Sequence, residues 1–341
     1  MGLFSFLTKE IAIDLGTANT VILCDDKVVV DEPSIIAIQR STGKVLAVGK
    51  RALMMHGKTN DDTKTVRPLK DGVIADFQSA EHMLREFIKM VSSGRKQLFP
   101  PSLRLVICIP SGITEVEERA VRDSAEQAGA KEIRMIHEPM AAAIGIGIDV
   151  LEPRGNMVID IGGGTSEIAV ISMGGIVSNK SIKVAGDEFN YDIIDYMRKK
   201  HNIAIGEATA EQIKMNVGAV IPDLENPPDD YEVLGRDLLQ GIPKSVKVSY
   251  QEIAHALDHS VQKIEAAVIN ALEATSPELS ADIFRTGIYL AGGGALLRGL
   301  DKRIAQKTKL NVYIAEDPLR AVARGTGMAL KNFDKFNFLI K

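Results

Sequence analysis

Two stretches far apart in the chain share one pattern, and this repetition constrains the fold more than any other feature. Residues 157–172 read MVIDIGGGTSEIAVIS, in which glycines and a threonine separate an apolar run ending in Asp160 from an alternating apolar segment. Residues 11–24 read IAIDLGTANTVILC and place Asp14 before Gly16 and Thr17 in the same order. Each stretch therefore predicts a strand, a tight glycine turn and a second strand.

The chemistry of such a turn suits a phosphate group. Glycines let the backbone approach a ligand closely, and successive turn N–H groups form a concavity that binds anions. An aspartate beside the turn can hold Mg²⁺ through water molecules. The pair of turns predicts two similar domains that hold one polyphosphate and its metal from opposite sides. The alternative is two ordinary hairpins with glycine turns.

Composition narrows the class of protein. The length of 341 residues suggests about two domains. A net charge of −4 argues against a general nucleic-acid binder. Cys24 and Cys108 lie in apolar, strand-like runs and are expected to be reduced core residues, without a metal-binding spacing. We find neither an apolar run of about 18 residues nor a secretory signal, and we therefore expect a cytoplasmic protein.

Two short apolar segments suggest contact with a membrane surface. Residues 1–7, MGLFSFL, would form one apolar face if helical, and the loop at residues 92–101 combines large apolar side chains with Arg95 and Lys96. The alternatives are a terminus that packs on its own domain or is disordered, and a loop whose apolar residues turn inward. The predicted membrane contacts are Leu3, Phe4, Phe6, Leu7, Leu98 and Phe99.

Hydrophobic periodicity and glycine or proline punctuation predict the remaining elements. Residues 51–71 are expected to be loop-rich. Residues 140–145 begin a helix of small residues, which can cross another helix closely. A third strand and glycine turn at residues 287–297 is expected to lead into one helix that continues to residue 308. The other predicted helices cover residues 80–91, 114–129, 191–200, 203–217, 250–272 and 318–331, and the tail after them is expected to pack on the first domain.

Three further features are candidates for a ligand site, and the first two have a structural alternative. Glu138 at a strand-to-helix corner can orient a water molecule, or it can be a surface carboxylate favoured by the helix dipole. Glu207, Glu211 and Lys214 share one side of a helix, either facing a ligand or forming a solvated ion-pair face. The glycine turn near residue 292 can receive a phosphate or a base.

No competing motif is present in the sequence. The chain lacks a glycine loop ending in Gly-Lys-Ser/Thr, the glycine spacing of a dinucleotide-binding fold, a zinc-binding arrangement of histidines and a serine in a nucleophile elbow.

Several motifs of the sequence resemble those of a known group of proteins. DLGTANT at residues 14–20, HEPMAAAIG at 137–145, DIGGGT at 160–165, AGGGALLRGL at 291–300 and ARGTGMAL at 323–330 stand in the order of the actin superfamily. Longer runs resemble the MreB family, the bacterial actins of cell shape, and the resemblance covers essentially the whole chain. These runs are RPLKDGVIADF at 67–77, IPSGITEVEERA at 109–120, VAGDEFN at 184–190 and AEDPLRAVARGTG at 315–327.

The resemblance implies an α/β, actin-like ATPase fold. Two duplicated domains would each contain a mixed sheet flanked by helices, with four subdomains around a nucleotide cleft. The implied boundaries are residues 1–32, 67–145 and 326–341 for subdomain IA, 33–66 for IB, 146–183 and 249–325 for IIA, and 184–248 for IIB.

The resemblance also assigns roles to residues, with ATP and Mg²⁺ as cofactors. Asp14 and Asp160 would hold the hydrated Mg²⁺, and Glu138, assisted by Thr165, would orient the attacking water. His137 departs from the family pattern, since many relatives have a second acidic residue there. The implied nucleotide-binding residues are Asp14, Gly16, Thr17, Ala18, Asn19, Asp160, Gly162, Gly163, Gly164, Thr165, Gly186, Glu207, Glu211, Gln212, Lys214, Gly292, Gly293, Gly294 and Ala295.

The implied function is that of a cytoskeletal ATPase. It would polymerise with Mg-ATP into paired filaments on the inner face of the cytoplasmic membrane and organise cell-wall synthesis that maintains a rod shape. Its partners would be itself and membrane proteins of the cell-wall elongation machinery, with no nucleic acid. One alternative is a non-polymerising sugar or metabolite kinase, which would need an aspartate base. Another is a chaperone ATPase module, which would need a substrate-binding domain after Lys341.

Overall fold

The computed structural model describes residues 8–92 and 102–340, which fall into two compact units. The first unit comprises the described parts of Met1–Pro153, Ile171–Ile176 and Leu319–Lys341, and the second comprises Arg154–Val170 and Val177–Pro318. All six residues predicted to contact a membrane lie outside the described residues, so those contacts remain predictions. The four subdomain boundaries also remain a prediction.

The strands and helices follow the alternation of apolar and polar residues along the chain. The strands are β1 (Thr8–Leu15), β2 (Asn19–Cys24), β3 (Lys27–Pro33), β4 (Ile36–Gln39), β5 (Val45–Val48), β6 (Thr63–Val66), β7 (Leu69–Lys70), β8 (Val73–Ile74), β9 (Ser102–Ile109), β10 (Ala130–His137), β11 (Asn156–Ile161), β12 (Ser166–Ser172), β13 (Gly175–Ile182), β14 (Ile203–Ala204), β15 (Tyr231–Asp237), β16 (Pro243–Val248), β17 (Ile288–Ala291) and β18 (Val312–Ile314). The helices are α1 (Lys50–Met55), α2 (Phe77–Ser92), α3 (Glu115–Gln127), α4 (Glu138–Ile146), α5 (Gly186–His201), α6 (Glu207–Val217), α7 (Tyr250–Glu273), α8 (Pro277–Thr286), α9 (Leu300–Thr308) and α10 (Ala321–Lys331), with 3₁₀ turns at Gly293–Leu296 and Pro318–Arg320.

The two five-stranded sheets have the same strand order. One runs β10-β9-β1-β2-β3 and the other runs β18-β17-β11-β12-β13. In the first sheet β9 lies parallel to β1 and β10 lies parallel to β9, and β17 and β18 have the same relation to β11 in the second. This correspondence confirms the duplicated architecture predicted from the repeated motif.

The duplication extends to the second hairpin of each sheet. The β2–β3 connection consists of Asp25 and Asp26 with φ of 50° and 62°, and the β12–β13 connection consists of Met173 and Gly174 with φ of 51° and 72°. Two residues with positive φ are the signature of a type I′ turn, whose twist matches that of the strands it joins. The repeat is therefore a repeat of backbone geometry as well as of sequence.

Each unit contains its own hydrophobic core. In the first, Ile13 and Ile107 of the sheet pack with Met83 and Phe87 of α2, and all four side chains are fully buried. The second core is larger and joins strands β11, β12 and β17 to α5, α6, α7 and α9. The described helices include none that is both long and apolar enough to span a bilayer.

Helices α4 and α10 cross at two glycines within the first unit. A Cβ atom on Gly145 would lie 1.8 Å from the carbonyl oxygen of Ala321, and one on Gly325 would lie 1.7 Å from that of Ala141. Neither position can hold a larger residue unless the helices separate. The predicted close crossing of small-residue helices is therefore confirmed.

The tail after α10 packs on the first unit, as predicted. Ile340 pairs with Met135 of β10, and Phe333 lies under the guanidinium groups of Arg104 and Arg134. These contacts tie the tail to the outer strand of the first sheet.

Besides the start of α5, which lies five residues before the predicted residue 191, three predictions of secondary structure are wrong. Residues 51–71 contain most of α1 and all of β6, which pairs with β4. Helix α1 has only six residues, with only Ala52 buried, so it shows no readable period. Residues 203–204 form β14 against β15, and α6 begins only after Gly206.

The third wrong prediction concerns the glycine turn after β17. Residues 293–308 do not form one helix. A 3₁₀ turn ends at Leu296, and α9 begins after Gly299, whose φ of +84° interrupts the helix. A Cβ on Gly299 would lie 2.4 Å from the Ile221 side chain, so this position requires glycine, whose positive φ is not helical.

Candidate functional site

The turn between β1 and β2 is closed by a hydrogen bond across four residues. The N–H of Gly16 donates to the carbonyl of Asn19 at 3.1 Å. A Cβ at Gly16 would lie 2.7 Å from that carbonyl oxygen, so the turn requires glycine. In the described part of the chain, the N–H groups of Thr17 and Ala18 donate to no protein acceptor. The turn therefore offers two adjacent amides to an anion.

Buried hydroxyl groups hold this turn in place. Ser34 donates its Oγ–H to the carbonyl of Gly16 at 2.6 Å, its N–H donates to the carbonyl of Ala18, and Thr20 Oγ1 lies 2.9 Å from Ser34 Oγ. Gly72 N–H donates to Thr17 Oγ1 at 3.3 Å. The amides of the turn are thus positioned before any ligand arrives, which lowers the entropic cost of binding.

Asp14, the penultimate residue of β1, has an unusual environment. Burial raises its pKa from 3.8 to about 7. A carboxyl group with a raised pKa is one whose negative charge is poorly solvated, and a nearby cation would restore the charged form. A metal ion bound beside Asp14 would therefore stabilise its ionised carboxylate.

The turn between β11 and β12 repeats the closing hydrogen bond of the first turn. Gly162 N–H donates to the carbonyl of Thr165 at 2.9 Å, again across four residues. Over the residues that are described, the N–H groups of Gly163 and Gly164 likewise have no protein acceptor. Asp160 stands two residues before Gly162, as Asp14 stands two residues before Gly16. Both turns therefore combine a strand-end aspartate with two available amides.

The start of α5 stabilises the second turn by hydrogen bonds to its backbone carbonyls. Gly186 N–H donates to the carbonyl of Gly162 at 3.1 Å, and Asp187 N–H donates to that of Gly163 at 2.8 Å. The helix N-terminus thus binds the outward carbonyls of the turn, so the turn amides point the other way. This contact also explains why α5 begins five residues earlier than the sequence predicted.

Lys214 links α6 to the same region. Its Nζ donates to the carbonyl of Gly186 at 3.0 Å and to Glu211 Oε2 at 2.8 Å. Asn190 donates its Nδ2 to the same carboxylate oxygen at 2.8 Å. Glu207 and Gln212 are exposed on this helix. Of the predicted set on α6, Lys214 and Glu211 are therefore brought next to the start of α5, which contacts the second turn.

The glycine turn after β17 packs directly against Asp160. A Cβ on Gly292, whose φ is +77°, would lie 2.5 Å from Asp160 Oδ1, and one on Gly294 would lie 2.2 Å from the Ile161 side chain. Gly293 is exposed, whereas Ala295 is buried. The structure thus brings the predicted residues 292–295 together with the Asp160 turn.

Glu138 lies at the same sheet edge as Asp14. Strands β1, β9 and β10 are parallel, and Asp14 and Ile136 are both opposite Cys108. Glu138 follows β10 as the first residue of α4 and is half-buried. Strand spacing places the ends of β1 and β10 about 10 Å apart, which leaves room for a phosphate group and a water molecule between them.

The donor atoms at these positions suit Mg²⁺ rather than a softer metal. Asp14, Asp160, Thr17 and Thr165 supply only oxygen atoms. Among the described residues no three His, Cys, Asp or Glu side chains form a metal-binding cluster. A metal held by either aspartate would keep water and phosphate oxygens as its other ligands, which is the usual coordination of Mg²⁺.

Comparison with known proteins gives the family. The family model described as "MreB/Mbl protein" matches residues 8–338, nearly the entire chain. The chain belongs to the MreB/Mbl family. The resemblance drawn from its motifs is thereby confirmed.

Two relatives are similar to this MreB/Mbl chain over nearly their full length. The cell shape-determining protein Mbl of Bacillus subtilis is 47% identical over 328 residues, covering 96% of this chain and 97% of that protein. The cell shape-determining protein MreB of Escherichia coli is 47% identical over 338 residues, covering 98% of this chain and 95% of that protein.

Solved structures agree with the fold. The crystal structure of MreB 5 of Spiroplasma citri bound to AMPPNP has a TM-score of 0.90 and 40% identity, covering 96% of this chain and 97% of that one. The MamK double helical filament has a TM-score of 0.79 at 21% identity, covering 96% of this chain and 99% of that one, and shows the shared fold alone.

Sequence reasoning on this MreB/Mbl chain missed the residues that support the two turns. Ser34 and Asn190 contact turn or helix residues of the site, yet the sequence assigned no role to either residue. Ser34 lies between two strands and is fully buried. A small polar residue between two apolar runs was the available signal, although its partner, 18 residues earlier, cannot be read from the sequence.

Proposed function

We propose that this chain is a filament-forming ATPase that binds Mg-ATP, assembles on the inner face of the cytoplasmic membrane and helps to maintain rod cell shape. The observation that carries the proposal is the pair of matched turns, each with an aspartate two residues before its first glycine and two available amides. The nucleotide in the related MreB 5 crystal structure supports it. The names of the relatives support the role in cell shape.

In this proposal both turns bind the phosphates of one nucleotide. The amides of Thr17 and Ala18 and those of Gly163 and Gly164 would donate to phosphate oxygens. Bound Mg²⁺ would neutralise part of the phosphate charge, held through water by Asp14 and Asp160. The adenosine part of the nucleotide would be bound by residues of three segments. These are Glu207, Glu211, Gln212 and Lys214 of α6, Gly186 at the start of α5, and residues 292–295.

Hydrolysis requires a positioned water molecule. Glu138 is held at the start of α4, in a helix that is buried against α10. Its carboxylate would accept a hydrogen bond from the attacking water, and the Thr165 hydroxyl would assist. Phosphoryl transfer depends mainly on positioning and electrostatics, so a fixed glutamate can accelerate it without covalent participation.

Assembly and membrane attachment reinforce each other in the proposed function. Burying one Leu or Phe side chain contributes about 1.5–3 kcal/mol, so one subunit with a few such residues binds lipid weakly. A filament repeats the contact along its length, and avidity makes attachment firm. The membrane proteins of the elongation machinery would then bind to an ordered, membrane-attached filament.

Electron microscopy of the purified protein with Mg-ATP on anionic lipid, beside a sample without nucleotide, tests the assembly proposal. We expect paired filaments on the lipid only when nucleotide is present. Dispersed particles over a wide concentration range would contradict the cytoskeletal function. ADP production that depends on an added sugar would instead support the kinase alternative.

Glu138→Ala tests the assignment of the water-positioning residue. We expect phosphate release about 100-fold slower or more, which is the scale of a lost general base, with ATP affinity unchanged. Phosphate release is followed in single turnover, and affinity is measured by titration with labelled nucleotide.

Glu278→Ala is the matched control, because Glu278, like Glu138, lies next to a proline in the first turn of its helix. We expect it to leave phosphate release unchanged. If Glu138→Ala weakens ATP binding as much as it slows hydrolysis, Glu138 has a structural role and the assignment is wrong.

A further inference from the structure

The outer edge of the first sheet is formed by β10, and the tail covers part of it. Met135 and Ile340 exchange both backbone hydrogen bonds, each 2.9 Å long. The backbone N–H and C=O groups of successive residues point to opposite sides of a strand. Those of Ile133, two residues before Met135, therefore point to the same outer edge as those of Met135. Within residues 8–92 and 102–340 these two groups of Ile133 have no partner. The edge therefore accepts an added strand at Met135 and leaves the next bonding position open.

A cleft of about 320 Å³ lies beside this open position. Its lining combines the β10 residues 131–134 with Arg122 and Glu126 of α3 and with Phe333 of the tail. The cleft is therefore built entirely within the first unit, next to an unpaired stretch of backbone.

The charged side chains that line the cleft have a net positive charge. Glu132 is bound by Arg104 at 2.8 Å, and Arg122 lies 3.7 Å from Glu118. Of the remaining charged residues that line the cleft, Lys131 and Arg134 are cationic and only Glu126 is anionic. A carboxylate is thus favoured over an ammonium group here.

Arg134 is already oriented for such a carboxylate. Its guanidinium carbon lies 4.6 Å from the centroid of the Phe333 ring. Across the described residues its N–H groups have no hydrogen-bond or ion-pair acceptor. Stacking on an aromatic face fixes the guanidinium plane while leaving its edge free, and that edge binds carboxylates in a bidentate manner.

We propose that the β10 edge at Ile133 binds an extended acidic segment of a partner protein. The segment adds as a strand through its backbone, as Ile340 does at Met135, and places a glutamate or aspartate on Arg134. In strand addition, backbone hydrogen bonds provide affinity and alternate side chains provide specificity. A segment that alternates acidic and β-branched residues fits this edge best.

Fluorescence anisotropy with a labelled Val-Glu-Val-Glu-Val-Glu peptide tests the proposal on the full chain, below the concentration at which light scattering detects assembly. We expect saturable binding that Arg134→Gln weakens about tenfold or more, the scale of one lost charge-assisted hydrogen bond. Lys247→Gln removes an exposed charge from another edge strand, β16, and should leave binding unchanged.

Further measurements separate strand addition from simple charge attraction. The same peptide with proline in place of each valine should not bind, and bound peptide should slow hydrogen exchange at the Ile133 amide. Arg134→Lys, which retains the charge without the planar fork, should bind with intermediate affinity and shows that an effect of Arg134→Gln is not a folding defect. Failure of the original peptide to bind, equal binding of the proline peptide, or equal affinity for Arg134→Gln would each overturn the proposal.

Discussion

At the scale of single residues, Asp14 links stability to the proposed metal site. Its pKa is raised to about 7 in the folded protein against an ordinary value of 3.8. Between these values the folded state binds more protons than the unfolded state, so the free energy of unfolding falls as pH rises from about 4 to about 7. Above that range the penalty stays constant. The protein therefore keeps at this position a residue that destabilises it at neutral pH when no cation is bound.

Asp14→Asn should accordingly stabilise the nucleotide-free protein at pH 8. The expected gain is at most about 4 kcal/mol, because one pKa unit corresponds to about 1.4 kcal/mol, and it should shrink as pH is lowered toward 4. Denaturant unfolding at several pH values measures this gain. The same variant should lose the rise in melting temperature that Mg-ATP gives the unmodified protein. A variant less stable than the unmodified protein at pH 8 would contradict the argument.

At the scale of elements, the crossing of α4 and α10 depends on two glycines. At each of them, backbone atoms of the facing helix fill the space that a side chain would need. A Cβ on Gly325 would meet the carbonyl of Ala141, whereas a Cβ on Gly327 in the same helix would have only Leu23 Cδ2 within reach, 3.3 Å away. The two glycines have the same helix propensity and differ only in what surrounds them.

Gly325→Ala should destabilise the protein by about 3 kcal/mol or more, the upper range for forcing atoms into a packed site. Gly327→Ala is the matched control and should be neutral or stabilising, because alanine favours the helix by about 1 kcal/mol and a leucine methyl can shift. Thermal unfolding of both variants checks this prediction. Equal effects of the two substitutions would show that the crossing does not require close backbone contact.

Elements also show which parts of the fold the sequence could predict. Helix α7 was predicted at residues 250–272 and is observed at Tyr250–Glu273, since its apolar period is long and Ser249 with Glu252 forms a capping box. Helix α1 was missed because six residues carry no period. The early start of α5 was missed because its first N–H groups are satisfied by the turn at Gly162 and Gly163, which are distant in sequence.

At the scale of the whole molecule, the proposed function divides between assembly and membrane attachment. Replacing Phe4, Leu98 and Phe99 together with serine should release filaments from lipid while sparing polymerisation, since each lost apolar side chain removes about 1.5–3 kcal/mol of burial. Vesicle co-sedimentation measures attachment, and pelleting without lipid measures assembly.

Met173→Ser provides the control for this experiment. Met173 is a large apolar residue, 73% exposed at the β12–β13 turn, and its replacement should leave lipid binding intact. Loss of polymerisation in the triple variant would show that the two roles are not separate.

The duplicated architecture, the two aspartate–glycine turns and the family can all be predicted from the amino-acid sequence. These features are local, because a strand alternates with period two, a tight turn requires glycine, and both signals lie within a short run of consecutive residues. The residues that support the turns and the surroundings of the charged groups become visible only in the folded protein. Ser34 reaches Gly16, the start of α5 holds Gly162, and burial raises the pKa of Asp14, because each of these effects depends on atoms brought together from distant parts of the chain.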